Sequence, residues 1–169
     1  MKIDLSPMLG GDTDEISFDY PLTIEEDFYG VTFPKPVRVL GTIKNRAGYI
    51  ALRAKAEAVY ETVCDRCLEP IVKDLTLEYE KGVALSNTLE NEDNDDYLIA
   101  VDRQLELDEP MREAIILDFP TKHLCREDCK GLCPKCGKNL NEGPCACSHT
   151  ERDSRWGALD ALVPEKKDV

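Results

Sequence analysis

The sequence predicts an α+β protein: an antiparallel β-rich body, either a meander or a partly open barrel, with one or two short helices and a cysteine-rich C-terminal segment. Three observations predict it. Residues 49–63 and 71–79 alternate apolar and polar side chains, the period of a strand with one face on a core. Helical spacing is confined to short stretches after residue 107. Six of the eight cysteines fall between Cys125 and Cys147, and the other two form Cys64-Asp-Arg-Cys67.

Taken in order, residues 1–35 give little. Leu5, Ile16, Phe18 and Tyr20 suggest short extended pieces. Leu22 to Tyr29, with Glu25, Glu26 and Asp27, reads as a solvated edge or loop, and Pro21, Pro34 and Pro36 argue against long helices. Val37 to Lys44 is rich in β-branched residues, and Asn45-Arg-Ala-Gly48 suits a turn. From Tyr49 to Val63 the side chains Ile50, Leu52, Ala54, Ala56, Ala58 and Tyr60 fall on one face, with Arg53, Lys55, Glu57 and Glu61 on the other. Ala, Lys and Glu also favour helices, but the nearly unbroken alternation favours a strand. A second alternating run sets Ile71, Lys73, Leu75, Leu77 and Tyr79 against Val72, Asp74, Thr76, Glu78 and Glu80. Cys64 and Cys67 therefore lie at the tip between two antiparallel strands.

Residues 86–96 are acidic and nearly free of apolar groups, so they read as a loop; they lack the glycine and terminal glutamate of a calcium loop. Tyr97 to Val101 is a short apolar piece. Asp108-Glu-Pro110 starts a helix, acids at its positive end and proline in its first turn. Met111, Ala114, Ile115, Ile116 and Leu117 bury it, and Pro120 stops it. A last helix, capped by Asp153 or Ser154, carries Trp156, Leu159, Leu162 and Val163 before Pro164. The expected organisation is a β-rich body over residues 1–120 and a segment over residues 121–169 packed on it.

The totals narrow the classes. With 42% hydrophobic residues the 169-residue chain can bury a core, and its formal net charge of −13 opposes non-specific binding to phosphate backbones. The N-terminus lacks the apolar region of a secretory signal, and no run approaches the ~20 apolar residues of a membrane span. A cytoplasmic location is expected, where thiols stay reduced and cysteine clusters point to metal before disulfides.

Cys133-Pro-Lys-Cys136-Gly137 has the form of a zinc knuckle, a tight turn that aims two sulfurs at one point, with a glycine free to take positive φ. Two groupings of the cysteines are open. Cys133, Cys136, Cys145 and Cys147 can share one ion, leaving Cys64, Cys67, Cys125 and Cys129 for a second. Alternatively, Cys125, Cys129, Cys133 and Cys136 share one, and Cys64 and Cys67 meet Cys145 and Cys147. One or two Zn²⁺ ions are expected, with His123 and His149 as substitute ligands or exposed polar residues. Four thiolates leave no open position for water, so the metal is structural. The knuckle favours zinc over an iron–sulfur cluster. A redox role for Cys64 and Cys67 is disfavoured because that motif usually opens a helix. No phosphate loop, nucleophile elbow or carboxylate pair points to an enzyme.

Cys64-Asp-Arg-Cys67-Leu68 at a hairpin tip, the acidic middle, Leu107-Asp-Glu-Pro-Met-Arg-Glu113 and Asp128-Cys-Lys-Gly-Leu-Cys-Pro-Lys-Cys-Gly-Lys-Asn-Leu-Asn141 together resemble the YceD family, the large ribosomal RNA subunit accumulation proteins. Arg155-Trp-Gly-Ala-Leu159 fits as well. The resemblance runs over about residues 35–163, and its most specific element is Gly131-Leu-Cys-Pro-Lys-Cys-Gly137. Some family members are short of cysteines in the second half; this chain is similar to the cysteine-rich branch. The resemblance implies a non-enzymatic cytosolic factor needed for normal 23S rRNA levels and large-subunit assembly, and brings no catalytic residues. The expected partner is a ribosomal precursor or a ribosomal protein. Acidity favours a basic protein over naked RNA, while Lys122, Arg126, Lys130, Lys135 and Lys138 offer a small basic face for RNA. A zinc-dependent redox-switch holdase and a zinc-ribbon adaptor are the alternatives.

Overall fold

The computed structural model describes residues 1–24, 30–86 and 97–147. Nine elements follow one another: β1 (Lys2–Asp4), α1 (Ser6–Leu9), β2 (Glu15–Leu22), β3 (Val37–Arg46), β4 (Tyr49–Val63), β5 (Pro70–Leu85), β6 (Tyr97–Ala100), β7 (Gln104–Glu106) and α2 (Asp108–Asp118). Strands β2 to β6 form one sheet in sequence order, and β1 pairs with β7 in a separate ribbon. The sheet is an open meander; among the described residues it does not close into a barrel. It departs from the antiparallel expectation at one edge, where β6 runs parallel to β5 from Gly82↔Tyr97 to Leu85↔Ala100. A parallel neighbour needs a connection longer than a tight turn, and eleven residues separate Leu85 from Tyr97.

The alternating runs become β4 and β5, paired from Ile50↔Val83 to Val63↔Pro70. Ile50, Leu52, Ala54, Ala56 and Tyr60 are buried, joined by Leu75, Leu77 and Val83 from β5. Arg53 and Glu80 pair across the outer face at 2.9 Å, as do Lys44 and Glu15 at 3.2 Å. The β3–β4 turn is two residues, Ala47 and Gly48, both at positive φ (52° and 90°), and the Gly48 N–H donates to Asn45 Oδ1 at 3.0 Å. Pro21 is tolerated because β2 is an edge strand. Leu22, expected at a solvated edge, is instead buried as the last residue of β2. Glu25 to Tyr29 and the acidic residues 87–96 lie outside the described residues, as does the predicted last helix with Trp156.

Helix α2 begins and ends as the sequence predicts, with Asp108 and Glu109 in its first turn and Phe119 extended before Pro120. Its burial is narrower than expected. Met111 and Ile115 face the core, whereas Ile116 is 36% and Leu117 85% exposed. Five apolar residues in seven cannot all fit one helical stripe, and the sheet selects positions four apart. Met111→Ala is accordingly expected to lose about 2–5 kcal/mol, and Leu117→Ser less than about 0.5 kcal/mol, in parallel urea titrations. The four-residue helix α1, which the sequence did not announce, buries Met8 in the same core as Leu5, Leu105 and Leu107. No helix among the described residues is long and apolar enough to cross a membrane.

Candidate metal centres

The chain leaves α2 through an aromatic cluster that seats the cysteine-rich stretch. Phe119 meets Tyr60 of β4 edge-on at 4.9 Å between centroids, and the His123 ring lies 5.5 Å from both, edge-on to Tyr60 and tilted against Phe119. His123 is thus half-buried among aromatics, its Nδ1 3.4 Å from the Tyr60 hydroxyl, and is not one of the clustered ligand candidates. His149 lies outside the described residues.

From there the segment is stitched onto the β4–β5 tip by main-chain and side-chain hydrogen bonds. The Asp65 N–H donates to the His123 carbonyl at 2.8 Å, and the His123 N–H returns to Asp65 Oδ2 at 2.6 Å. Arg66 donates to the Cys129 carbonyl at 2.7 Å, and the Leu132 N–H donates to the Arg66 carbonyl at 2.9 Å. Gly131 has φ +74°, and a Cβ there would sit 2.9 Å from the Arg66 carbonyl oxygen, so the close approach requires glycine.

This stitching gathers the eight cysteines into two tetrads. Cys64, Cys67, Cys125 and Cys129 form one; Cys133, Cys136, Cys145 and Cys147 form the other, with all ligand atoms of each within 4.8 Å of one another. The first of the two groupings open in the sequence is therefore the one that the fold assembles. Sulfur separations are 3.8 Å for Cys64–Cys129, 3.7 Å for Cys67–Cys125 and 3.5 Å for Cys133–Cys145. A tetrahedron with Zn–S of ~2.3 Å has edges of ~3.8 Å, whereas a disulfide needs ~2.05 Å. Both donor set and spacing fit a tetrahedral thiophilic ion with no open position.

The two knuckles share one backbone plan. The Leu68 N–H donates to the Cys64 carbonyl at 2.8 Å and the Cys64 N–H to that of Glu69 at 2.8 Å. The Gly137 N–H donates to the Cys133 carbonyl at 2.9 Å and the Cys133 N–H to that of Lys138 at 2.8 Å. Leu68 and Gly137 occupy matching left-handed positions, φ 60° and 73°. The shared Cys-x-x-Cys spacing was the signal for this repeat; Leu68 hid it, because leucine does not announce positive φ.

The electrostatics differ within each tetrad. Burial opposes the Cys64 thiolate, but backbone N–H groups of Cys125, Cys67 and Arg66 outweigh it and bring the group down to about 6. Backbone N–H groups of Cys136 and Lys135 likewise bring Cys133 to about 6. Cys147 is pushed up to about 12 by the Cys136 side chain and by burial. Four thiolates cannot ionise together at these separations without a cation between them. Cys129 is lowered chiefly by Asn141, whose Nδ2 donates to its sulfur at 3.3 Å. Asn141 is itself held by Asn139 Oδ1 at 2.8 Å, and Asn139 Nδ2 donates to Glu69 Oε1 at 2.9 Å. This asparagine pair, which supports a candidate ligand, is one that sequence reasoning did not single out. Asn141→Ala is expected to weaken metal affinity at the first tetrad by about 10–100-fold and to leave the second unchanged, as read by competition with a chromogenic chelator.

The environments also differ. Cys64, Cys67 and Cys129 are buried and Cys125 half-buried, beside Ile71, Leu124 and Leu132. In the second tetrad Cys133 is buried but Cys136 is exposed. Lys122, Arg126, Lys130, Lys135 and Lys138 are exposed along this segment, interspersed with exposed Glu127, Asp128 and Glu142. Arg126 pairs with Asp128 at 3.4 Å, and Lys138 Nζ donates to the Pro144 carbonyl at 3.0 Å.

The family model for the large ribosomal RNA subunit accumulation protein YceD matches residues 52–163, more than half of the chain. Uncharacterized proteins of Mycobacterium bovis and Mycobacterium tuberculosis are each 33% identical over 108 residues, 63% of this chain and 52% of theirs. The large ribosomal RNA subunit accumulation protein YCED homolog 1, chloroplastic, of Arabidopsis thaliana is 33% identical over 60 residues, 36% of this chain and 19% of that protein. This chain spans about half the length of the mycobacterial relatives it matches. No solved structure matches it.

Proposed function

The chain belongs to the YceD family, and from that membership we propose that it is a non-enzymatic cytoplasmic factor supporting 23S rRNA accumulation and large-subunit biogenesis, with two structural zinc ions. The observation that carries this is the span of the family match. Residues 52–163 include the β4–β5 tip and all eight cysteines, so the tetrads lie within the region that the family model matches. Each tetrad's closed set of sulfur donors supports a stapling role for the metal. The net charge of −13 favours a basic ribosomal protein over bare RNA as the direct partner. The exposed lysines from Lys122 to Lys138 provide a lesser RNA-facing surface, diluted by the acids among them.

The test is depletion of the protein in its host, followed by the ratio of large- to small-subunit rRNA and by sucrose-gradient profiles. The ratio is expected to fall and to recover with the unaltered chain; an unchanged ratio in both overturns the reading. Complementation by Cys133→Ser/Cys136→Ser then separates a zinc-dependent role from a peripheral staple. A redox-switch holdase is the second reading, favoured by the exposure of Cys136. It requires zinc release by dilute peroxide together with new binding of unfolded clients, which rRNA accumulation does not require.

A further inference from the structure

We propose that the β4–β5 tip, centred on Leu68, is the docking surface for an extended, lysine- or arginine-bearing segment of a protein partner. The inference deepens the reading above by naming the surface through which a basic protein would be held. It starts from a residue in the wrong conformation for its type. In the second knuckle the left-handed position is glycine, Gly137; in the first it is Leu68, at φ 60°. A Cβ in that region costs of order 1 kcal/mol relative to glycine. The side chain does not recover this by burial, since it is 62% exposed. The tip therefore carries strain to present a large apolar group to solvent, a pattern found where a group serves recognition.

The strands that lead into the tip are also apolar on their outer face. The outer face of the sheet divides into two regions. Toward the β3–β4 turn it is a ladder of ion pairs, Arg53 with Glu80 and Lys44 with Glu15. Toward the tip it changes to Val59, Val63 and Val72, exposed by 38%, 46% and 64%, with Pro70 opposite Val63. The charged residues among them are acids: Glu61 lies opposite Val72, and Asp74 opposite Val59. None of the described outward positions of β4 from Val59 to Val63, or of β5 from Pro70 to Thr76, is Lys or Arg. Apolar anchors set among carboxylates with no Lys or Arg at the described outward positions beside them suit a partner that offers apolar side chains flanked by cations.

The backbone points the same way. Strand β6 pairs with β5 only from Gly82 onward, so among the described residues no strand lies beside β5 between Pro70 and Tyr79. An extended segment can add there, its main chain paired with β5 and alternate side chains reaching Val72 and Asp74.

The test places a photocrosslinking benzoylphenylalanine at position 68 or 72 of the full-length, zinc-loaded protein in growing cells, with position 101 as an exposed control. Crosslinked peptides are identified by mass spectrometry. In parallel, Leu68→Gly and Val72→Lys are compared with the unaltered chain for retention of proteins split from large ribosomal subunits. The expected result is crosslinking at 68 and 72, absent at 101, to lysine- and arginine-rich peptides. Leu68→Gly should reduce retention about tenfold while leaving Tm and zinc content equal or higher, because it relieves the strained backbone. A purely structural Leu68 would instead give a lower Tm with retention unchanged, which overturns the proposal. Crosslinks confined to RNA, or to residues 148–169 of the chain itself, also overturn it. A basic partner that is not ribosomal upholds the docking surface and removes the ribosomal reading, so the two fail separately.

Discussion

On the two-zinc reading, a chain carrying Cys64→Ser is expected to bind one zinc ion against an expected two for the unaltered chain, and to lose on the order of 3 kcal/mol or more of stability. Cys64 is fully buried, and its sulfur lies 3.8 Å from that of Cys129, which is 65 positions away in the chain. The first tetrad therefore closes a long-range link between the β4–β5 tip and the stretch after α2. Without its ion the three remaining sulfurs repel as thiolates or reprotonate, and the segment is left to the hydrogen bonds at Asp65, Arg66 and Leu132, the Asn139–Glu69 bond and the aromatic contacts with Tyr60. For a chain of this size a loss of that magnitude lowers Tm by roughly 10 °C. Cys136→Ser should also remove one ion but cost much less. That residue is exposed, and its tetrad ties residues 133–147 only to one another. Metal content by inductively coupled plasma mass spectrometry, beside thermal melts, checks both variants. Retention of two ions by Cys64→Ser would remove the first tetrad as a metal centre.

The second large effect lies in the sheet. Gly41→Ala is expected to cost about 3 kcal/mol, read as a lower urea midpoint with an unchanged slope. A Cβ on Gly41 would fall 2.2 Å from the Arg53 carbonyl oxygen and 2.8 Å from the Ala54 Cα. Both are main-chain atoms of β4, and Gly41 pairs directly with Ala54. A flexible side chain could move aside; here β3 must part from β4, and the tip of the Phe18 ring, also 2.8 Å away, closes the other side. A variant with unaltered stability would mean that β3 and β4 are spaced differently at this crossing.

These two residues show how far the sequence can be read. Cys64 was legible as a candidate ligand because Cys-x-x-Cys between two alternating strands is a local signal, and local geometry suffices to bring two sulfurs together. Gly41 was not, because a glycine inside a β-branched run gives no sign of what approaches it. The same division runs through α2. Its start and stop follow from Asp108, Glu109 and Pro120, but Ile116 and Leu117 belong to an apolar cluster from which only the facing sheet can choose.

By itself, then, the sequence determined the β4–β5 hairpin with its cysteine tip, the limits of α2, the family, and the presence of eight thiols suited to a soft metal. Each rests on a pattern carried by neighbouring residues: period two, a helix terminus, a knuckle spacing. The tertiary structure alone decided which cysteines share a site, the parallel course of β6 and the exposure of Leu68. Spacing along the chain allows Cys125 and Cys129 to join either partner pair. The contacts of Asp65 with His123 and of Arg66 with Cys129 and Leu132 bring them to Cys64 and Cys67. Those bonds join residues about 60 positions apart, and such energies exist only once the chain has folded.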